Sequence, residues 1–176
     1  MPAPAAALSH VLARPATADD AEPYALVVAA VAQEGRWIAT EPPVDVAARA
    51  ALVREWLERG DRLFVLEDDD GRVVGGLGLH ARGPSGVASL GMAIVADARG
   101  RGGGRALMDA AMAWLRDSDM HKVELEVWPD NERAISLYER YGFEVEGTRR
   151  DHYRRRDGSL RSAVIMARLL HRERET

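Results

Sequence analysis

An α+β fold with a mixed, mostly antiparallel sheet flanked by helices is what this sequence predicts. Three observations carry that expectation. Short β-rich runs are separated by Gly, Pro and Asp turn signals. Apolar stripes at helical spacing fall between some of them. A glycine-rich segment joins one apolar run directly to an amphipathic helix. The order read along residues 9–169 is β-α-α-β-β-β-α-β-α-β-β.

Residues 9–15 read as the first strand, and Thr17 with Asp20 three positions on has the form of a helix-opening capping box. Tyr24, Val27, Val28 and Val31 then give one apolar helix face ending near Gly35. Glu41-Pro42-Pro43 cannot be helix interior. A second helix opens near Asp45, carries Leu52, Val53, Trp56 and Leu57, and stops at Gly60. Arg62–Glu67, a turn at Asp69-Asp70-Gly71, and Arg72–Ala81 make a hairpin. Gly83-Pro84-Ser85-Gly86 turns the chain into Val87–Val95, apolar enough throughout to be a central, covered strand. After the glycines, Leu107, Ala110, Ala111, Trp114 and Leu115 mark a helix. Lys122–Trp128 is the next strand, and Asp130-Asn131 caps a helix with Ala134, Leu137, Tyr138 and Tyr141 on one side, closed by Gly142. Phe143–His152 and Leu160–Leu169 form the final hairpin around Arg156-Asp157-Gly158-Ser159.

The 176 residues lie within the usual size of one compact domain, and no repeat or linker interrupts them, so a single domain over 1–176 is expected. Absence of cysteine removes disulfides, thiolate nucleophiles and cysteine zinc sites. No stretch approaches the ~18 apolar residues that span a bilayer, and the N-terminus lacks the basic start of an export signal, so a cytoplasmic protein is expected. A net charge of −4 argues against a dedicated nucleic-acid binder. The histidines show no metal-ligand spacing, so no metal is expected.

Arg99-Gly100-Arg101-Gly102-Gly103-Gly104-Arg105 is the most informative segment. A strand running through glycines into a helix start aims several unpaired backbone N–H groups at one place, and the helix dipole favours an anion there. A nucleotide-triphosphate P-loop would need Gly-Lys-Ser/Thr, but the sole lysine is Lys122. The dinucleotide pattern Gly-x-Gly-x-x-Gly fails as well, ending on Arg105 or Leu107.

Arg99-x-x-Gly102-x-Gly104, set between a strand and a helix, resembles the pyrophosphate loop of the GNAT-type N-acetyltransferase superfamily. Leu125-Glu126-Val127, Asn131, and Ala134 through Leu137-Tyr138 to Gly142-Phe143 resemble that superfamily's closing acetyl-CoA motif, in the right order and spacing. The resemblance implies acetyl-CoA wedged where the parallel strands Val87–Val95 and Lys122–Trp128 splay. It implies pantetheine pairing with backbone near Ile94 and Val95. Pyrophosphate would rest on the amides of Arg101, Gly102, Gly103, Gly104 and Arg105 beside Arg99, and Asn131 would contact the pantetheine arm while also serving as a helix cap.

Acetyl transfer from a thioester needs a neutral amine, a stabilised oxyanion and a proton for the leaving thiolate. Direct attack by the amine requires no protein nucleophile, which suits a chain with neither cysteine nor a Gly-x-Ser-x-Gly elbow. The resemblance implies that Tyr138 touches the cofactor and serves as the acid. A thiol pKa near ~8.5 is within reach of a phenol donor. Periodicity alone would make Tyr138 a core aromatic. Glu124 and Glu126 share one strand face, and Glu126 resembles the base of ribosomal-protein N-terminal alanine acetyltransferases. A solvated or ion-paired strand residue is the plain alternative.

Glu34, Arg36, Trp37 and Glu41 lie in the connection that in this superfamily borders the acceptor, so Glu34 and Trp37 are candidate substrate-binding residues. Arg149, Arg150, Arg154, Arg155 and Arg156 form a basic cluster, read as a solvated hairpin end balanced by nearby acids, or as a site for an acidic acceptor or the nucleotide of coenzyme A. The expected partners are acetyl-CoA and an amine acceptor, with no nucleic acid and no membrane. A homodimer is left open. A small-molecule acceptor, a protein N-terminus and a noncatalytic acetyl-CoA-binding module are the three readings, and the presence of both Tyr138 and Glu126 favours catalysis.

Overall fold

Strand β1 (Val11–Pro15) leads through a single 3-10 turn at Ala18–Asp20 into α1 (Ala21–Gln33), followed by α2 (Val46–Glu58). Three strands come next, β2 (Arg62–Asp68), β3 (Val73–Ala81) and β4 (Val87–Ile94). The chain then runs through α3 (Gly103–Arg116), β5 (Lys122–Val127), α4 (Glu132–Arg140), β6 (Glu144–Arg154) and β7 (Leu160–Leu169). This computed structural model describes residues 11–81 and 85–170. Residues 9 and 10 of the expected first strand and Gly83-Pro84 of the expected turn lie outside them. No helix among the described residues is long and apolar enough to cross a membrane.

The seven strands form one sheet in the order β1-β2-β3-β4-β5-β7-β6. Only β4 and β5 run parallel; every other neighbouring pair is antiparallel. Helices α1 and α2 cover one face through Val27, Val28, Val31 and Val53, meeting Leu63 and Val65 of β2. Phe64 and Leu66, which alternate with those two, enter the opposite core with Leu107, Met108, Ala111 and Leu115 of α3. Two faces covered at once explain the unbroken buried run Leu63–Leu66. Strand β4 differs from expectation, because its burial alternates and Gly91 is exposed.

Local chemistry sets the helix ends. Asp45 caps α2 by accepting from Ala48 N–H at 2.9 Å. The expected Thr17–Asp20 box is present, with Thr17 N–H donating to the Asp20 carboxylate at 2.7 Å, although it opens the 3-10 turn that precedes α1. Gly76 of β3 is required by packing, since a Cβ there would lie 2.6 Å from the Tyr24 ring and 2.9 Å from the Phe64 carbonyl oxygen.

Asp20 is the one buried charged residue among the described ones. Arg14 clasps it through two hydrogen bonds of 2.8 and 2.9 Å and also donates to Glu67 at 2.8 Å. The Arg14 hydrogen bonds hold the Asp20 carboxyl below its usual range, with help from Thr17 and against the cost of burial. Asp20→Asn should therefore lower stability at pH 7 by about 2 kcal/mol, measured by urea unfolding. A depressed folded value means that the contribution is fully present above the ordinary aspartate pKa of ~3.9 and disappears as pH falls through the folded value. Unfolding free energies of the two proteins should converge in acid; a constant gap would assign the effect to packing.

Candidate active site

The parallel pair is joined only in part. Its pairing runs from Val87 opposite Lys122 to Leu90 opposite Leu125 and stops there. Beyond that point β4 stays on β3 as far as Ile94, while β5 stays on β7 through Glu126 and Val127. Each strand holds its outer neighbour while parting from its inner one, and the gap opens into a cleft of about 990 Å³.

The glycine segment forms one end of this cleft. Gly100 and Gly102 adopt φ of 82° and 83°, a left-handed backbone that side chains disfavour, and Gly102 is the residue at which α3 begins. The first N–H groups of that helix have no intrahelical acceptors. Gly103 has a different role: it is buried, and a Cβ on it would lie 2.4 Å from Leu66 Cδ2, so it lets α3 sit on the sheet. A Cβ on Gly104 would point towards Leu137, Met92 and Ile94 of the cleft wall, at 3.1, 3.8 and 3.9 Å. The cleft thus reaches the helix backbone at a cradle that one methyl group would begin to fill. Asn131 caps α4 by accepting from Ala134 N–H at 3.3 Å and also lines the cleft.

Arg99 lines the cleft with its guanidinium fixed at both sides. Its Nε donates to Ile94 O at 2.8 Å, and its two terminal nitrogens meet the Glu34 carboxylate at 2.7 and 2.5 Å. Glu34 also accepts from Trp37 Nε1 at 2.7 Å. Arg99, then Trp37, draws the Glu34 carboxyl below its usual range.

Tyr138 is buried, lines the cleft, and packs its ring 5.8 Å from that of Phe143. Burial pushes its hydroxyl up to about 12, so it carries its proton throughout the neutral range. Glu126 stands at the mouth of the splay. It accepts from the Tyr153 hydroxyl at 2.5 Å and pairs with Arg149 at 3.0 Å. Both partners come from β6, where the four-position step from Arg149 to Tyr153 is matched by a two-position step on β7, from Ala163 to Arg161. Asp151 inside this irregularity has φ of 49°, and its N–H donates to Ser162 Oγ. The extra residues turn the strand so that Arg149 and Tyr153 converge on one carboxylate. Glu126 and Tyr153 also border a smaller hollow of about 410 Å³ that includes Glu124 and Glu146.

Trp37, Ile38 and Ala39 line the cleft together with Trp128, Tyr153 and Ala163, and the Trp37 ring lies 5.7 Å from the Arg99 guanidinium. The last hairpin ties that first group down. Arg155 pairs with Glu41 at 2.7 Å and donates to Ala39 O at 2.8 Å. Arg156 binds Glu41 through its N–H and reaches Pro42 O. Arg161 donates to Arg36 O and pairs with Asp130, each at 2.9 Å.

The model of the acetyltransferase (GNAT) family matches residues 29–143, well over half of the sequence. The chain belongs to that family. This GNAT chain is 37% identical over 107 residues to the L-amino acid N-acetyltransferase AaaT of Escherichia coli, a match covering 57% of this chain and 64% of that enzyme. It is 34% identical over 130 residues to the mycothiol acetyltransferase of Saccharomonospora viridis, covering 69% of this chain and 42% of that one. The chain therefore matches less than two thirds of the length of either curated relative. Its fold is that of a GNAT superfamily phosphinothricin acetyltransferase from Sinorhizobium meliloti solved in complex with acetyl-CoA, with a TM-score of 0.82, 20% identity, and coverage of 96% and 92%.

Within this GNAT chain, the cleft brings together Ile94, Arg99, Gly102, Gly103, Gly104, Arg105, Glu126, Asn131, Tyr138 and Trp37 of the residues singled out in the sequence. Val95, Arg101 and Glu34 are not in its wall. Val95 has its N–H on Val74 O and its carbonyl on Ala98 N–H, and Glu34 acts on the wall through Arg99. Sequence reading passed over Arg133 and Arg140, which line the cleft from α4 on either side of Leu137. Their seven-residue spacing about that position is a helical signal that was there to be read. It passed over Trp128 as well, which the alternation that pairs Glu124 with Glu126 carries to the same face, and Tyr153, which no local pattern connects with Glu126. Among the described residues no group of histidine, aspartate and glutamate could hold a metal ion.

Proposed function

We propose that this chain transfers the acetyl group of acetyl-CoA directly to the primary amine of a small-molecule acceptor, with both substrates bound together. The observation that carries this reading is the parting of β4 and β5 after Leu90 and Leu125, which opens one cleft with an anion-attracting glycine turn at one end and a carboxylate at the other. In this reading the pyrophosphate rests on the amides at Gly102–Arg105. The amine nitrogen attacks the thioester carbonyl, a C–N bond forms and the C–S bond breaks. Glu126 takes the proton the amine loses, directly or through water, and Tyr138 gives its proton to the departing sulfur. Arg99 acts by fixing the loop, and Trp37 borders the acceptor. The amino-acid and mycothiol relatives support a small acceptor over a protein N-terminus.

An acceptor screen that follows free thiol release from acetyl-CoA tests the proposal. Turnover with small amines and none with peptides is expected. Peptide preference would transfer the activity to protein N-termini, and acetyl-CoA binding without any turnover would leave a binding module.

Glu126→Gln should slow transfer near neutral pH and recover in part as rising pH deprotonates the free amine, because solution then performs the missing step. The rate profile of the variant against that of the unaltered enzyme reads this out; superimposable profiles would return Glu126 to a structural role.

A further inference from the structure

The charge along the cleft is polarised. Arg105, Arg133 and Arg140 line it at the glycine turn and α4, around the helix start that attracts anions. Around Glu126 the wall is made of Val31, Trp37, Ile38, Trp128 and Tyr153; the cleft-lining cation beside Trp37, Arg99, lies 5.7 Å from that ring's centroid and has both terminal nitrogens taken up by Glu34. The smaller hollow that Glu126 borders adds two more carboxylates, Glu124 and Glu146, against one cation, Arg149, which is paired with Glu126.

The cations near this end are all engaged. Arg149 pairs with Glu126 itself, Arg155 with Glu41, Arg161 with Asp130, and Lys122 with Glu146. Arg155 and Arg161 also donate to main-chain carbonyls of Ala39 and Arg36. Arg36 lies over the Trp37 ring, 4.4 Å from its centroid, and is not part of the cleft wall.

From this arrangement we infer that the acceptor is an amine on an apolar, carboxylate-free body, an aryl- or alkylamine in preference to an amino acid. This rests on the acetyl-transfer reading above. An α-carboxylate sits two bonds from the nucleophilic nitrogen, so with nitrogen at Glu126 it would be carried among aromatic rings and glutamates. Only the Trp128 indole N–H, a buried donor with no partner of its own, would replace its hydration, and it would meet charge of its own sign. The amine loses nothing comparable, because Glu126 accepts from it. The aromatic and aliphatic wall rewards an apolar body and leaves a second ammonium, as in a polyamine, without a matching partner in the main cleft.

The test compares 2-phenylethylamine with L-phenylalanine, the same skeleton with a carboxylate, and with spermidine, a polyamine that lacks the aromatic body and carries further ammonium groups. Binding is followed by tryptophan fluorescence of the protein saturated with unacetylated coenzyme A, where no turnover occurs, and acetylation is measured separately with acetyl-CoA. We expect 2-phenylethylamine to bind and react at least about tenfold better than L-phenylalanine and better than spermidine. Trp37→Ala should weaken 2-phenylethylamine about tenfold while leaving coenzyme A affinity unchanged. Equal or tighter binding of L-phenylalanine would overturn the inference, as the name of the E. coli relative would lead one to expect, and tighter binding of spermidine would overturn the apolar body. Selective binding of 2-phenylethylamine without acetylation would uphold the inference about the wall and defeat the acetyl-transfer reading instead.

Discussion

Tyr138→Phe should lower kcat by ~10²–10⁴-fold while leaving acetyl-CoA affinity and thermal stability close to those of the unaltered protein. The substitution keeps the ring that packs near Phe143 and removes only the hydroxyl. The loss should not recover at high pH, in contrast to Glu126→Gln, because solution at high pH is a poorer proton donor. Burial that pushes the phenol up to about 12 adds a further expectation for the unaltered enzyme. The proton remains on Tyr138 below that value, so kcat should show no alkaline fall from this group between pH 8 and 10. Full kcat in a folded Tyr138→Phe protein would show that the thiolate leaves unassisted or with another donor.

Filling the glycine cradle should act on binding instead. A valine at position 104 places carbon where the present distance to Leu137 Cδ2 is already 3.1 Å, in the direction of Met92 and Ile94. Overpacking of this kind costs about 1–3 kcal/mol, which as a binding loss is roughly ten- to a hundredfold in Kd for acetyl-CoA. Adding Gly102→Val forces a β-branched residue into φ of 83° at the start of α3 and should carry binding beyond detection in calorimetric titration. Unchanged affinity in the folded double variant would remove the loop from the cofactor site altogether.

Most of the fold was legible because its signals are local. The alternation of Val123, Leu125 and Val127 with Glu124 and Glu126, the cap at Asn131 and the break after Gly142 each depend on a few neighbouring residues, and all recur in the structure. The glycine end of the cleft was legible for the same reason, since glycine spacing and a helix start are written in consecutive positions. The surroundings of Glu126 were not. Tyr153 reaches Glu126 across 27 positions, and it does so because an irregularity in β6 turns the strand, which no composition or period announces. The arginine cluster was read as a solvated hairpin end or an anion site. Acids do balance it, Glu126 at Arg149 and Glu41 at Arg155, but Arg155 and Arg156 also hold the backbone of residues 39–42, contacts that only the folded chain supplies.

Those contacts also fix an order of assembly. Arg155 and Arg156 bind partners 114 to 116 positions earlier, and Arg161 binds one 125 positions earlier. During synthesis, Arg36, Ala39, Glu41 and Pro42 lack these partners until nearly the whole chain has left the ribosome. The glycine turn and strand β4 have emerged well before then, while β5 still lacks its outer neighbour β7. A nascent chain therefore has its glycine turn and α3 before the Trp37 side of the cleft is tied down, and that closure is the late, long-range step of its folding.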